Sequence, residues 1–277
     1  IEFEHAIGVS SRLVVRYHLD AGSDRVDVDL LVDWREDRTI LRAEFPTAIR
    51  ARAATFGIQF GEFERATHRN TSWEEARFEV PGRRWMDLSQ PGLGLAVLDE
   101  GIVGRSAHDG TMGLSLLRAP SFPDPGSDRG THRLRYALMP HDGDRRSAGA
   151  AGVDAEAESF AERLMVRRLG SSEASAGGVS EIRPIGVEVD GPGAIEMSAM
   201  KPAEDGDGVV LRLVEKHGAG GRAFVTLPGF ATAESVDLVE RPAALAGFEW
   251  DAGARVATVP LRPFGIVSLR LRAEAGS

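Results

Sequence analysis

The sequence predicts an all-β protein, a large antiparallel β-sandwich followed by a smaller C-terminal β-sandwich, and three observations carry that expectation. First, in residues 11–34, Leu13, Val15, Tyr17 and Leu19 alternate with Arg12, Val14, Arg16 and His18. After the turn Ala21-Gly22-Ser23-Asp24, Val26, Val28, Leu30, Val32 and Trp34 alternate with Asp27, Asp29, Leu31 and Asp33. A period of two around a Gly-containing turn marks an antiparallel hairpin with one buried face, whereas a helix would scatter the acids around its circumference. Second, short runs bounded by Gly, Pro, Asn or Asp recur along the rest of the chain, as in sandwiches of antiparallel sheets. Third, only residues 153–164, VDAEAESFAERL, read as a helix, with Ala and Glu at favourable positions and Phe160 four residues before Leu164.

In chain order, further strands are expected at residues 40–45, 55–60, 77–80 and 94–98. Residues 61–76, GEFERATHRNTSWEEA, read as a long polar loop carrying His68, Asn70 and Trp73. A strand-like run, residues 114–117, ends in Arg118. Pro120, Pro123, Pro125, Asp124, Asp128 and Gly130 then make a stiff loop, because Pro restricts the backbone and Asp and Gly complete turns. Residues 134–138 alternate again and lead to Pro140-His141. Residues 169–180 are small, polar and rich in Gly and Ser, the composition of a linker. The expected organisation is a large sandwich over 1–170, a linker over 171–180 and a small sandwich over 181–277. In the last part, strands are expected at 195–199, 209–214, 223–227, 235–240, 255–259 and 266–271, with Glu204 to Gly208 as a turn.

Composition narrows the function classes. A hydrophobic fraction of 42% in 277 residues supports a sizeable core. A net charge of −9 argues against a nucleic-acid partner, and only Lys201 and Lys216 among the 33 basic residues are lysine. No apolar run reaches membrane-spanning length, so no membrane partner is expected. With no Cys there is no disulfide framework and no thiol nucleophile, which suits a reducing, cytoplasmic setting. The start at Ile1, inside a strand-like run, reads as a cut from a longer protein.

Several side chains are candidates for contact with a polar ligand. Arg118 stands at a strand end beside the stiff loop, and its planar fork of donors suits adjacent hydroxyls; the alternative is that it pairs with Asp124 or Asp128 to brace that loop. His141 can donate to a hydroxyl or cap its own turn. His68 and Asn70 lie beside Trp73, and Trp73 and Trp85 are each either a stacking surface or core. His18-Leu19-Asp20 is too little for zinc, which needs four converging ligands, and Asp205-Gly206-Asp207-Gly208 lacks the later ligands of a calcium loop and reads as a hairpin turn. No nucleophile or general acid is nominated among the 42 carboxylates.

Residues 113–144, GLSLLRAPSFPDPGSDRGTHRLRYALMPHDGD, together with 60–101 and 201–223, resemble in the same order the C-terminal region of family 38 glycoside hydrolases, the α-mannosidases. The resemblance implies a galactose mutarotase-like supersandwich for the first part. It implies a parent enzyme that hydrolyses terminal α-mannosides with retention, using zinc and an Asp nucleophile in an N-terminal catalytic domain. On that reading no catalytic residue, cofactor or metal belongs to the present chain, which buttresses its own N-terminal catalytic domain. Arg118, His141, His68 and Asn70 become substrate-binding candidates at the edge of the α-mannoside pocket. An apolar surface near Ile1 and residues 60–85 is expected where that domain docks, with a homo-oligomer as its consequence in isolation. The rival readings are a stand-alone carbohydrate-binding module, disfavoured by an aromatic content of 6%, and a purely structural sandwich.

Overall fold

The structure, a computed structural model, describes residues 1–147, 152–162 and 184–273. The proposed linker at 171–180 lies outside the described residues. The described residues form two compact units; the first runs to the end of the second helix, and the second, with which residues 60–62 also group, covers the remainder.

The first unit contains β1 (Glu2–Ile7), β2 (Ser11–His18), β3 (Val26–Trp34), β4 (Ile40–Pro46), β5 (Ala53–Ile58) and β6 (Gly61–Ala66). A one-turn helix α1 (Ser72–Glu75) precedes β7 (Val80–Pro81), β8 (Trp85–Gln90), β9 (Leu93–Asp99), β10 (Gly104–His108), β11 (Thr111–Arg118), β12 (Gly130–His141) and α2 (Val153–Ala161). Eight strands form one sheet in the order β1-β2-β3-β12-β9-β8-β5-β6, and four form the facing sheet, β4-β11-β10-β7. The hairpin read from residues 11–34 is present: β2 and β3 pair antiparallel, with Leu13 opposite Val32, Val15 opposite Leu30 and Tyr17 opposite Val28. Val28, Leu30, Val32 and Trp34 enter the core, where Phe56, Met86, Leu88, Met112 and Leu114 meet them from both sheets.

The helix expected over residues 153–164 is present as α2 over Val153–Ala161, and Leu164 lies outside the described residues. On the other face of the large sheet, Val153, Ala157 and Phe160 of α2 bury Trp85, Leu98, Ala137 and Met139. This explains why β12 is apolar on both faces along Tyr136, Ala137, Leu138 and Met139. Three local expectations need correction, one of them in the second unit, where the strand expected at 235–240 lies instead over Phe230–Val236. Residues 61–76 are not one loop: Gly61–Ala66 is the edge strand β6, and Thr71 starts α1 through a capping box with Glu74. The strand expected at 77–80 shrinks to Val80–Pro81. The polar side chains of 61–66 concealed a strand because an edge strand needs little apolar surface.

The second unit contains β13 (Gly186–Asp190), β14 (Ile195–Pro202), β15 (Val209–Glu215), β16 (Gly221–Thr226), β17 (Phe230–Val236), β18 (Glu249–Asp251), β19 (Val256–Leu261) and β20 (Ile266–Ala273). Two four-stranded sheets, β13-β16-β19-β18 and β14-β15-β20-β17, enclose Leu211, Leu213, Val225, Leu227, Val259 and Leu269. The turn at Glu204 to Gly208 joins β14 to β15 as an antiparallel pair.

Candidate functional site

Arg118 closes β11, opposite Ile40 at the start of β4. The loop after it is braced by its own polar groups. Asp128 accepts the Arg118 backbone N–H at 3.0 Å, Asp124 accepts the Gly126 N–H at 2.8 Å, and Arg129 grips Asp37. The Arg118 guanidinium is exposed and makes no hydrogen bond or ion pair among the described residues. Asp128 thus braces the loop through the main chain of Arg118 and leaves its five side-chain donors available.

His141 has the opposite character. Its side chain is 3% exposed, with Nε2 2.7 Å from Oδ2 of Asp87, itself 3% exposed. Nδ1 accepts the Gly143 N–H at 3.2 Å, so the hydrogen-bond network assigns the ring proton to Nε2, donated to Asp87. The Ser89 hydroxyl donates to the other Asp87 oxygen at 2.5 Å. Both nitrogens are occupied, and the ring lies so close over Gly94 that a Cβ there would stand 2.1 Å from Cε1. His141 caps its own turn. Asp87 was not singled out in the sequence; the one signal was an acid within the otherwise apolar run Trp85-Met86-Asp87-Leu88.

His68 and Asn70 lead into α1. His68 Nδ1 lies 3.4 Å from Glu74 Oε2 and accepts the Asn70 N–H at 3.4 Å. His68 also borders an open groove of about 500 Å³ with Arg50, Arg52 and Asp109. Asn70 is exposed, Trp73 is 79% exposed on α1, and Trp85 is core at 4%.

These residues do not converge. Thr111 and Arg118 are the two ends of the eight-residue β11, about 23 Å apart at roughly 3.3 Å for each step along the strand. His68 belongs to the Thr111 end, since the Asp109 N–H donates to the Thr67 carbonyl. His141 lies at that end as well: it pairs with Gly94, next to Gln90, whose side chain accepts the Arg50 N–H. Arg118 therefore stands alone at one end of the sandwich, with His68, Asn70 and His141 at the other.

The metal-like motifs resolve into pairwise polar contacts. His18 Nε2 lies 3.1 Å from Asp29, Asp205 pairs with Arg270 at 2.6 Å, and Asp207 pairs with Arg272 at 2.9 Å. Among the described residues no three His, Cys, Asp or Glu side chains gather as a metal site.

Unequal sheets in the first unit and a small sandwich in the second define a β-sandwich protein, in which Arg118 offers an exposed guanidinium at a strand end. Residues 1–126 match the glycosyl hydrolases family 38 C-terminal domain, and residues 194–269 match the glycosyl hydrolases family 38 C-terminal beta sandwich domain. The chain belongs to the C-terminal region of glycoside hydrolase family 38. It is 40% identical over 241 residues to alpha-mannosidase 2C1 of Homo sapiens, covering 85% of this chain and 22% of that protein. It is 39% identical over 210 residues to alpha-mannosidase G of Dictyostelium discoideum, covering 76% of this chain and 18% of the relative. The chain thus spans about a fifth of the length of these curated relatives. A crystal structure of a glycosyl hydrolase family 38 protein from Enterococcus faecalis shares the fold, with a TM-score of 0.70 and 17% identity, over 94% of this chain and 30% of that one.

Proposed function

We propose that this chain works as the C-terminal portion of an enzyme that hydrolyses α-mannosides, buttressing a catalytic domain elsewhere in the polypeptide and shaping the edge of its sugar pocket. The observation that carries the reading is the match of both β units, in order, to the C-terminal domains of one glycosidase family, with relatives that are α-mannosidases several times longer. Retention of configuration and a zinc ion held outside this chain belong to the same proposal and rest on the family resemblance. A cytoplasmic location is also proposed; among the described residues no helix is long and apolar enough to cross a membrane.

Within this role we assign Arg118 to the substrate side. Its guanidinium is exposed, unpaired and carried on a loop that other residues hold in place. His68 and Asn70 fit a second contact surface at the far end of the sandwich. His141 reaches a ligand only by giving up Asp87. The exposed Phe63, Trp73 and Phe78, at 56%, 79% and 76%, support self-association of the isolated chain, which sedimentation equilibrium tests.

The function is tested by assaying aryl α-mannoside hydrolysis with the full-length polypeptide and with the 277-residue chain. Zinc-dependent turnover is expected from the first and none from the second. Turnover by the 277-residue chain alone, or its absence from the full-length protein, overturns the reading.

A further inference from the structure

The two sheets of the first unit are unequal, and the excess is localised. At one end of the large sheet, Phe56 and Ala66 of β5 and β6 share a small cavity with Val80 and Ala107 of β7 and β10. Further across, Phe45 of β4 meets Tyr136 of β12 edge-on, with ring centroids 5.4 Å apart. Because β4 is the last strand of the small sheet, β2 and β1 continue past it on the large one.

Exposure follows from this. Residues opposite each other on neighbouring strands share a face. Along one such row Val28 is 0% exposed, its partner Tyr17 39%, and Ile1 beyond it 86%. Along the next row Leu30 is 5%, Val15 6% and Phe3 50% exposed. This is the core face: Val28 and Leu30 lie in the main cluster. Phe3 packs edge-on against Tyr17 at 6.1 Å and stacks on His5 at 6.4 Å, so the uncovered end is aromatic. The reverse face carries the ion pairs Glu2–Arg16 and Glu4–Arg12, as a solvent face should. A ribbon with an ionic outside and an aromatic inside is built to be covered on the inside.

We propose that the inner face of β1 and β2, together with the free edge of β4, is the seat for additional β-strands of the parent polypeptide, which extend the small sheet past β4 and close the sandwich over Phe3 and Tyr17. This rests on the reading of the chain as part of a longer α-mannosidase, and the length of its relatives supplies the polypeptide. A strand is the occupant that meets both needs at once. The unpaired backbone groups along β4 call for a ladder partner, and the apolar rows beside them call for alternating apolar side chains.

Cysteine labelling tests the seat, because the chain has no native Cys. Phe3→Cys and, as a control on the ionic face, Glu4→Cys are placed in the full-length polypeptide and in the 277-residue chain, and maleimide modification of each peptide is followed by mass spectrometry. Hydrogen exchange of Ile40–Pro46 is measured in both unsubstituted proteins. Expected are at least about tenfold slower labelling of Phe3→Cys and tenfold slower exchange along β4 in the full-length protein, with Glu4→Cys labelled equally fast in both. Equal labelling of Phe3→Cys in the two proteins overturns the proposal. So does protection in the 277-residue chain that grows with its concentration, since the occupant is then a second copy. Mannosidase activity of the full-length protein, assayed alongside, separates the two levels. Activity without protection removes the seat and keeps the enzyme reading; protection without activity does the reverse.

Discussion

Arg118 and Arg105 show two opposite uses of a guanidinium. Arg105 is fully buried on β10, with Nη2 2.7 Å from Asp99, itself fully buried, and donating to the Ile102 carbonyl at 2.8 Å. Burial pushes the Asp99 carboxyl up and the Arg105 guanidinium down, each opposed by the charge of the other. Such a pair is weak evidence of net stabilisation, yet removing one member strands the other. Asp99→Ala is therefore expected to cost about 3–5 kcal/mol in urea denaturation. Asp99→Asn combined with Arg105→Met should recover part of that, because it keeps an acceptor for the Gly101 and Ile102 N–H groups that Asp99 now serves. Arg118→Ala should behave differently. Its donors hold nothing in the fold, so the melting temperature should stay unchanged, while kcat and kcat/KM of the full-length enzyme fall together by about 10- to 100-fold, the value of a hydrogen bond to a charged group. Unchanged kinetics would remove Arg118 from the sugar site.

At the scale of elements, buried carboxylates hold the turns. Glu36, just after β3, accepts the N–H groups of Val9, Ser10 and Ser11 and the Ser11 hydroxyl, and so fixes the β1–β2 turn. Those bonds, first the Ser10 N–H and then the Ser11 hydroxyl, hold its carboxyl below the usual glutamate range. In the second unit burial alone would raise Glu215, but the N–H groups of Phe264, His217, Ala219 and Gly218 bring it below that range. A depressed carboxyl contributes stability above its unfolded pKa, near 4.3, and loses it as pH falls through the lower folded value. Glu36→Gln and Glu215→Gln should therefore melt below the parent at pH 7, with the gap closing as pH is lowered towards 3. A gap constant with pH would contradict the assignment. Gly94→Ala tests the His141 latch: its Cβ cannot coexist with the ring, so the mutant should lose the Nε2–Asp87 bond, seen as loss of the downfield Nε2 proton by NMR.

For the whole molecule, the net charge of −9 predicts that the chain leaves duplex DNA unshifted at physiological salt, and a shift in a gel assay would contradict it. The all-β class, the β2–β3 hairpin, the turn at Glu204 to Gly208 and the helix over Val153–Ala161 were legible in the sequence. Each is a local pattern, a period of two or of 3.6 bounded by turn residues, and the core needs that pattern wherever one face is buried. The family was legible too, because its motifs are contiguous. Tertiary structure alone decided which charges meet. It turned Asp87 towards His141 and Asp99 towards Arg105, and it freed Arg118 by giving Asp128 to the main chain. It also sent the Arg118 and His68 candidates to opposite ends of β11 and left Phe3 beyond the last strand of the facing sheet. Strand order and sheet width set these outcomes, and they arise from long-range pairings that a local alternation does not encode.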